Sequence, residues 1–269
     1  ESLYNSVLRK IEPIFQKICT ILKLLSSFVK SANVKIMGDI HILVVESDTP
    51  EIVARFRAQG RLSEADNFAE VLHQIDTSIH TSIIAPYAGE CCTAQFLAGV
   101  SGVCFTGSCV DWCVDDMRAA ALESTMRTVF EAGVPVYGSC NGLQMAVHVL
   151  GGTLRASPAG REDGIARNVT LSPAAHSHPM MRGRDAVYTA VCVHRDEVHT
   201  PPPGAVVLAG NEHSAVQAMV FEQEQVCFWG TQYVPPFVCL CVCVCVRVGG
   251  WPSSSAGPLS RYLSLSLSL

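Results

Sequence analysis

Short apolar runs alternate with stretches of helical periodicity through residues 37–236, and that alternation leaves few architectures open to the chain. Residues 40–45 (Ile-His-Ile-Leu-Val-Val) read as a buried strand, and residues 65–75 carry apolar positions at helical spacing. Residues 103–105 run into the turn Thr106-Gly107-Ser108, and a helix is predicted across 115–132. Residues 134–137 form the next strand, ending on Gly138-Ser139-Cys140-Asn141-Gly142, after which 143–150 read as helix. Five further strands are predicted at 167–171, 187–193, 205–209, 215–221 and 226–233. Strands joined through helices run parallel and are covered on both faces, which is why they read as continuous apolar runs. The predicted fold class is α/β: an open, mostly parallel sheet flanked by helices, with a strand-rich C-terminal half.

The flanking segments have different statistics, so the expected organisation is 1–36, 37–236 and 237–269. In the first, Ile14, Phe15, Ile18, Ile21, Leu22, Leu25, Phe28 and Val29 fall at helical spacing, with Lys17, Lys23 and Lys30 off that stripe. It reads as a basic amphipathic leader, suited to an anionic surface or to docking, or as non-native upstream sequence. The second reading is favoured by Glu1 at the start and Met37 just before the first strand-like run. In the last segment Val and Cys alternate over 238–246 and Leu and Ser over 263–269. Those are the products of reading GTGTGT and CTCTCT in triplets, so the expectation is a low-complexity tail of translated non-coding sequence. As protein, an apolar strand with no polar face would be an aggregation hazard.

Several function classes are excluded early. Thirteen cysteines suggest a disulfide framework, yet that pattern belongs to short secreted chains and no cleavable signal peptide is recognised. A reduced, cytoplasmic protein is expected. Basic residues concentrate in 1–36, leaving an acidic remainder that argues against nucleic-acid binding. No uncharged apolar run reaches 18 residues, so no membrane span is expected. Cys91-Cys92 and the pair Cys109 and Cys113 lack a second ligand pair at zinc spacing, and no glycine-rich phosphate loop appears. Neither metal nor cofactor is expected. Cys104, Cys192 and Cys227 lie within strand patterns and read as small core residues.

The sharpest local feature is Cys140 at a strand-to-helix turn between Gly138 and Gly142. Such an elbow needs glycines so that backbone and substrate can approach closely. The helix behind it offers free N–H groups and the positive end of its dipole, which favour thiolate over thiol and can hold a tetrahedral oxyanion. A buried structural cysteine is the alternative reading of this segment alone.

Six motifs then occur in one order: Phe105-Thr106-Gly107-Ser108, the run from Pro135 through Cys140 to Gln144, Leu150-Gly151-Gly152, Gly160-Arg161-Glu162-Asp163-Gly164, His194-Arg195-Asp196-Glu197-Val198 and Gly230-Thr231-Gln232-Tyr233. Together they resemble the class I glutamine amidotransferase family over about residues 40–233, and are closest to stand-alone members similar to the glutaminase half of GMP synthase. The resemblance implies a flavodoxin-like sheet and hydrolysis of glutamine or a γ-glutamyl amide through a cysteine thioester. Cys140 would be the nucleophile, Gly107 and Asn141 would give backbone N–H groups to the oxyanion, and Gln144 and the backbone around His194 would hold the substrate. A synthase partner receiving the ammonia is also implied.

One part of the pattern fails. Where the family places a histidine and, two residues on, a glutamate, this chain has Val234 and Pro236, and no histidine follows His213. Neither side chain carries a proton, so impaired catalysis is expected. Valine codons begin with GT, as introns do, so an exon ending at Tyr233 is expected to account for the loss. Two other classes remain open: a catalytically dead protein that binds a glutamyl ligand or a partner, and a redox-sensing thiol protein using Cys140 for oxidation.

Overall fold

The structure, a computed structural model, describes residues 40–234. The expectations for the leader and for the tail fall outside the described residues.

Four strands, β1 (Ile40–Val45), β2 (Ile79–Ile84), β3 (Gly102–Phe105) and β4 (Val136–Ser139), pair in parallel in the order β2-β1-β3-β4. Strand β11 (Val226–Thr231) lies parallel to β4. Beyond it the nine-stranded sheet turns antiparallel through β10 (Ala218–Gln223), β9 (Val206–Gly210), β6 (Glu162–Leu171) and β7 (Val187–His194). Strands β5 (Thr153–Ala156) and β8 (Asp196–Thr200) form a separate antiparallel pair. The helices are α1 (Pro50–Ala58), α2 (Glu64–Ile75), α3 (Ala94–Leu97), α4 (Ala120–Glu131) and α5 (Asn141–Val149). The α/β class, the mostly parallel first half and the strand-rich second half are all as the sequence predicts.

Alternation along each strand builds two cores. Ile42 and Val44 share one with Ala65, Phe68 and Leu72 of α2, whereas Leu43 and Val45 share the other with Leu122 and Met126 of α4 and Leu143 and Ala146 of α5. Successive side chains point to opposite faces and both faces are covered, so β1 is apolar except at the half-buried His41, whose Nε2 meets Ser82 Oγ on β2 at 2.9 Å. Cys104, Cys192 and Cys227 are buried in these cores, and all eight described cysteines are free thiols.

Some elements differ from the sequence reading, each for a physical reason. Strand β2 was not expected, because in Ile79-His80-Thr81-Ser82-Ile83-Ile84 the apolar residues sit at the ends; it is an edge strand and needs no continuous apolar run. Helix α1 buries only Phe56 and so leaves a faint periodicity. The helix predicted from residue 115 starts at Ala120, after a 3-10 turn whose Arg118 N–H donates to Asp116 Oδ1 at 2.9 Å. Strand β6 begins five residues early, at Glu162, because it pairs with β7 as far as His194. Among the described residues no helix is long and apolar enough to cross a membrane.

Candidate functional site

In an open parallel sheet the crevice for ligands lies beyond the carboxyl ends of the strands. Here β1, β3, β4 and β11 end at Val45, Phe105, Ser139 and Thr231, and the residues that follow them converge on Cys140. Cys140 sits at φ 48°, ψ −100°, a left-handed φ that only the surrounding structure can enforce on a non-glycine residue. Its N–H donates to Thr231 C=O at 2.7 Å, and the N–H of Gly142 donates to Thr106 C=O at 3.2 Å. The glycines are sterically required. A Cβ on Gly138 would lie 2.6 Å from the Gly142 carbonyl carbon, and one on Gly142 would lie 2.6 Å from the Phe105 oxygen. A Cβ on Gly107 would come within 3.7 Å of Cys140 Cβ, which places the backbone of Gly107 directly beside the elbow.

Asn141 opens α5, and its backbone N–H reaches the Cys140 sulfur. That bond favours thiolate, but burial outweighs it and the like charges of Cys109 and Glu64 add to burial, so the Cys140 thiol is pushed up to about 12. The resting group is therefore a neutral thiol, 8% exposed, with its Sγ 3.7 Å from the Val193 C=O.

Gln144 donates from Nε2 to Asp196 C=O at 2.8 Å and to Gln232 Oε1 at 3.2 Å. Gln232 in turn points its Nε2 at Cys140 Sγ, 3.6 Å away. His194 is not the solvated loop residue that its position after a strand first suggests: it ends β7 and is buried. Its Nε2 meets Glu162 Oε2 at 2.8 Å and its Nδ1 faces Asp196 C=O at 3.2 Å. The five predicted residues, Gly107, Cys140, Asn141, Gln144 and His194, thus fall into one neighbourhood, with the imidazole of His194 engaged in the protein's own bonds.

Sequence reasoning did not single out the end of β1. Ser47 N–H donates to Thr106 Oγ1 at 3.0 Å, and Asp48 Oδ1 accepts from Ser108 Oγ at 2.9 Å and from Cys109 N–H at 2.6 Å. These bonds hold the segment around Gly107 in place. Burial raises the Asp48 carboxyl, with the nearby Glu46 charge adding to it, against the lowering by its two donors. Gln232 was also missed as an individual residue, although it lies inside the last of the six motifs, because a glutamine gives no periodic signal.

Val234 stands where a proton carrier would be expected. It forms an isolated antiparallel bridge with Val191, its N–H donating to Val191 C=O at 2.9 Å. Pro236 lies outside the described residues. The ligating atoms of Glu162, Cys192 and His194 lie within 4.8 Å of one another, a cluster that could be read as a metal site. Its lone pairs are already used: both His194 nitrogens are bonded, and Glu162 also accepts from Asn211 Nδ2 and Gln217 Nε2 at 2.7 Å each.

An elbow cysteine beside a backbone turn at the carboxyl edge of such a sheet agrees with what comparison finds. The family model described as glutamine amidotransferase class-I matches residues 114–238. This region belongs to the class I glutamine amidotransferase family. The chain is 28% identical over 208 residues to a γ-glutamyl-L-1-hydroxyisopropylamide hydrolase of a Pseudomonas species, covering 74% of this chain and 68% of that protein. It is 32% identical over 141 residues to the glutamine-hydrolysing GMP synthase of Symbiobacterium thermophilum, covering 52% of this chain but only 25% of the synthase. The crystal structure of a glutamine amidotransferase from Thermotoga maritima superposes with a TM-score of 0.54 at 16% identity, over 74% of this chain and 76% of that one, a likeness of fold.

Proposed function

We propose that the chain is built to hydrolyse the side-chain amide of glutamine or a related γ-glutamyl amide through a thioester on Cys140, and that it does so poorly as written. The observation that carries the reading is the strained Cys140 elbow with the Gly107 backbone against it and the Asn141 N–H on its sulfur. In this reading the Cys140 sulfur attacks the amide carbon, and the backbone N–H groups of Gly107 and Asn141 take the oxyanion. Collapse expels ammonia or an amine, and water then releases glutamate from the thioester. Gln144 and the backbone around His194 hold the glutamyl end. The hydrolase and synthase similarities support this class of substrate and reaction. A synthase partner taking the ammonia belongs to the same proposal. The chain spans a quarter of the length of the similar GMP synthase.

Each half of the reaction needs a proton moved, once off the thiol and once onto the leaving amine. Val234 and Pro236 can do neither, and the charges that reach Cys140 oppose the thiolate. Those two observations favour a second reading, in which the site binds a glutamyl ligand without turning it over. A redox-sensing role has less support, because sensor thiols are exposed and acidic whereas Cys140 is buried and shifted the other way. Ammonia release from glutamine, measured beside the Cys140→Ala variant, separates these readings. Release near background together with saturable labelling of Cys140 by a glutamine-mimicking electrophile is expected. Brisk release abolished by Cys140→Ala would reject the dead-enzyme reading, and no labelling at all would reject the glutamyl site.

A further inference from the structure

Two of the six motifs, Gly160 to Gly164 and His194 to Val198, have no chemical part in the reaction just described beyond the backbone near His194. Their side chains meet in a closed ring of hydrogen bonds. Glu162 Oε2 faces His194 Nε2 at 2.8 Å, and His194 Nδ1 faces Asp196 C=O at 3.2 Å. Gln144 Nε2 donates to that same carbonyl and to Gln232 Oε1. The Gln232 N–H donates to Gln217 C=O at 2.9 Å, and Gln217 Nε2 returns to Glu162 Oε2 at 2.7 Å. All six residues are buried.

The ring has a polarity that can be followed atom by atom. A carbonyl oxygen only accepts, so His194 Nδ1 must carry a proton. Burial alone would raise the Glu162 carboxyl, but the bonds from Asn211, His194 and Gln217 hold it below the ordinary range, so it is ionised. His194 Nε2 faces that carboxylate, so both ring nitrogens sit against acceptors. His194 fixes the position of the Asp196 oxygen, which only accepts, so Gln144 meets it with its NH2. The same NH2 occupies Gln232 Oε1, which leaves Gln232 only its own NH2 to present to Cys140 Sγ at 3.6 Å. A donor on sulfur favours thiolate; an amide turned the other way would put an oxygen there and oppose it.

We propose that Glu162 and His194 are positioning residues for Cys140, acting through Asp196 C=O, Gln144 and Gln232 to keep the N–H end of the Gln232 amide on the sulfur. Its bearing on hydrolysis rests on Cys140 being the nucleophile, but the test does not depend on that. The rate of Cys140 alkylation by iodoacetamide, followed peptide by peptide by mass spectrometry from pH 6 to 10, reads thiolate availability whatever the natural substrate.

Glu162→Gln and Gln232→Leu should each slow Cys140 by about five- to tenfold, the worth of one hydrogen bond, and move its profile to higher pH. The double variant should be no slower than either single one. His194→Asn keeps an amide that can donate to the Asp196 oxygen and should recover part of the rate. Groups that titrate nearby, namely Glu64 and Cys109 around the sulfur and His213 and Cys192 around the pair, are the same in every variant. A Glu162→Gln protein that melts lower while its Cys140 profile stays unmoved would overturn the proposal, as would additive losses in the double variant. Should Glu162→Gln not fold, His194→Leu against Gln232→Leu supplies the same cycle, with His194→Asn faster than His194→Leu. Missing labelling of the parent's Cys140 by a glutamine-mimicking electrophile would count against the proposed function alone.

Discussion

Gly142→Ala tests the geometry on which the site depends. The new methyl would stand 2.6 Å from the Phe105 carbonyl oxygen and 2.8 Å from Phe105 Cβ, where ordinary contact begins near 3.4 Å. Helix α5 or strand β3 must therefore give by roughly 0.8 Å, and overpacking of that kind costs about 1–3 kcal/mol. The better helix propensity of alanine returns at most about 1 kcal/mol. Gly142 N–H also donates to Thr106 C=O at 3.2 Å, so the shift disturbs the bond that ties α5 to the segment leading into Gly107. A misplacement near 1 Å of groups that must act together costs about 100-fold in rate. Labelling of Cys140 by a glutamine-mimicking electrophile should consequently fall by about 10- to 100-fold, while urea unfolding shows a loss of about 1–2 kcal/mol. Gly151→Ala is the control: it has open space around it but φ +87°, so it should lose about 1 kcal/mol and label normally. If Gly142→Ala labels within twofold of the parent at unchanged stability, the tight approach of α5 to β3 is not what sets the site.

Restoring a proton carrier by Val234→His with Pro236→Glu should lift ammonia release from background by about 10²-fold or more, read in a coupled ammonia assay; a folded, silent double variant would point to another substrate. Cys140 alkylation by iodoacetamide should keep rising with pH through 10, since the thiol is held up to about 12 by burial, and a plateau by about pH 9 would contradict that burial cost. Asp48 and Glu64 both have raised carboxyls, so their stabilising effect is complete below the unfolded carboxylate value and is lost as pH rises through the folded one. Asp48→Asn should therefore gain on the parent between pH 4 and neutrality in urea titrations; a difference that stays constant with pH would remove Asp48 from that account.

The elements that could be read from sequence were those whose burial is two-sided or strongly periodic. Residues 40–45 and 103–105 are apolar on both faces, and α2 places Ala65, Phe68 and Leu72 on one stripe. Edge strand β2 and the shallow helix α1 satisfy themselves with few buried groups, so composition hardly marks them. The elbow was legible because glycine is required on both sides of Cys140, and steric exclusion leaves a trace in sequence. Asp48, Gln217 and Gln232 were not, because a hydrogen bond between residues 15 or 60 positions apart depends on the register of strands, and polar side chains carry no period. His194 shows the limit in the other direction: its motif was visible, but a charged-looking cluster after a strand gives no hint that the imidazole turns inward to Glu162.

The place of β11 in the sheet has a consequence for synthesis. It is the last described strand in the chain, yet it lies between β4 and β10, in the middle of the nine. Until residue 231 has left the ribosome, β4 and β10 each show an unpaired edge, and the two halves of the sheet have no shared strand. A nascent chain stalled or cut short before that point would hold two sticky half-sheets, prone to pairing with other chains. Vectorial folding can assemble both halves in turn, but joining them has to wait for β11 to emerge, so expression yield should respond more sharply to early termination before Val226 than to changes in the loops between earlier elements.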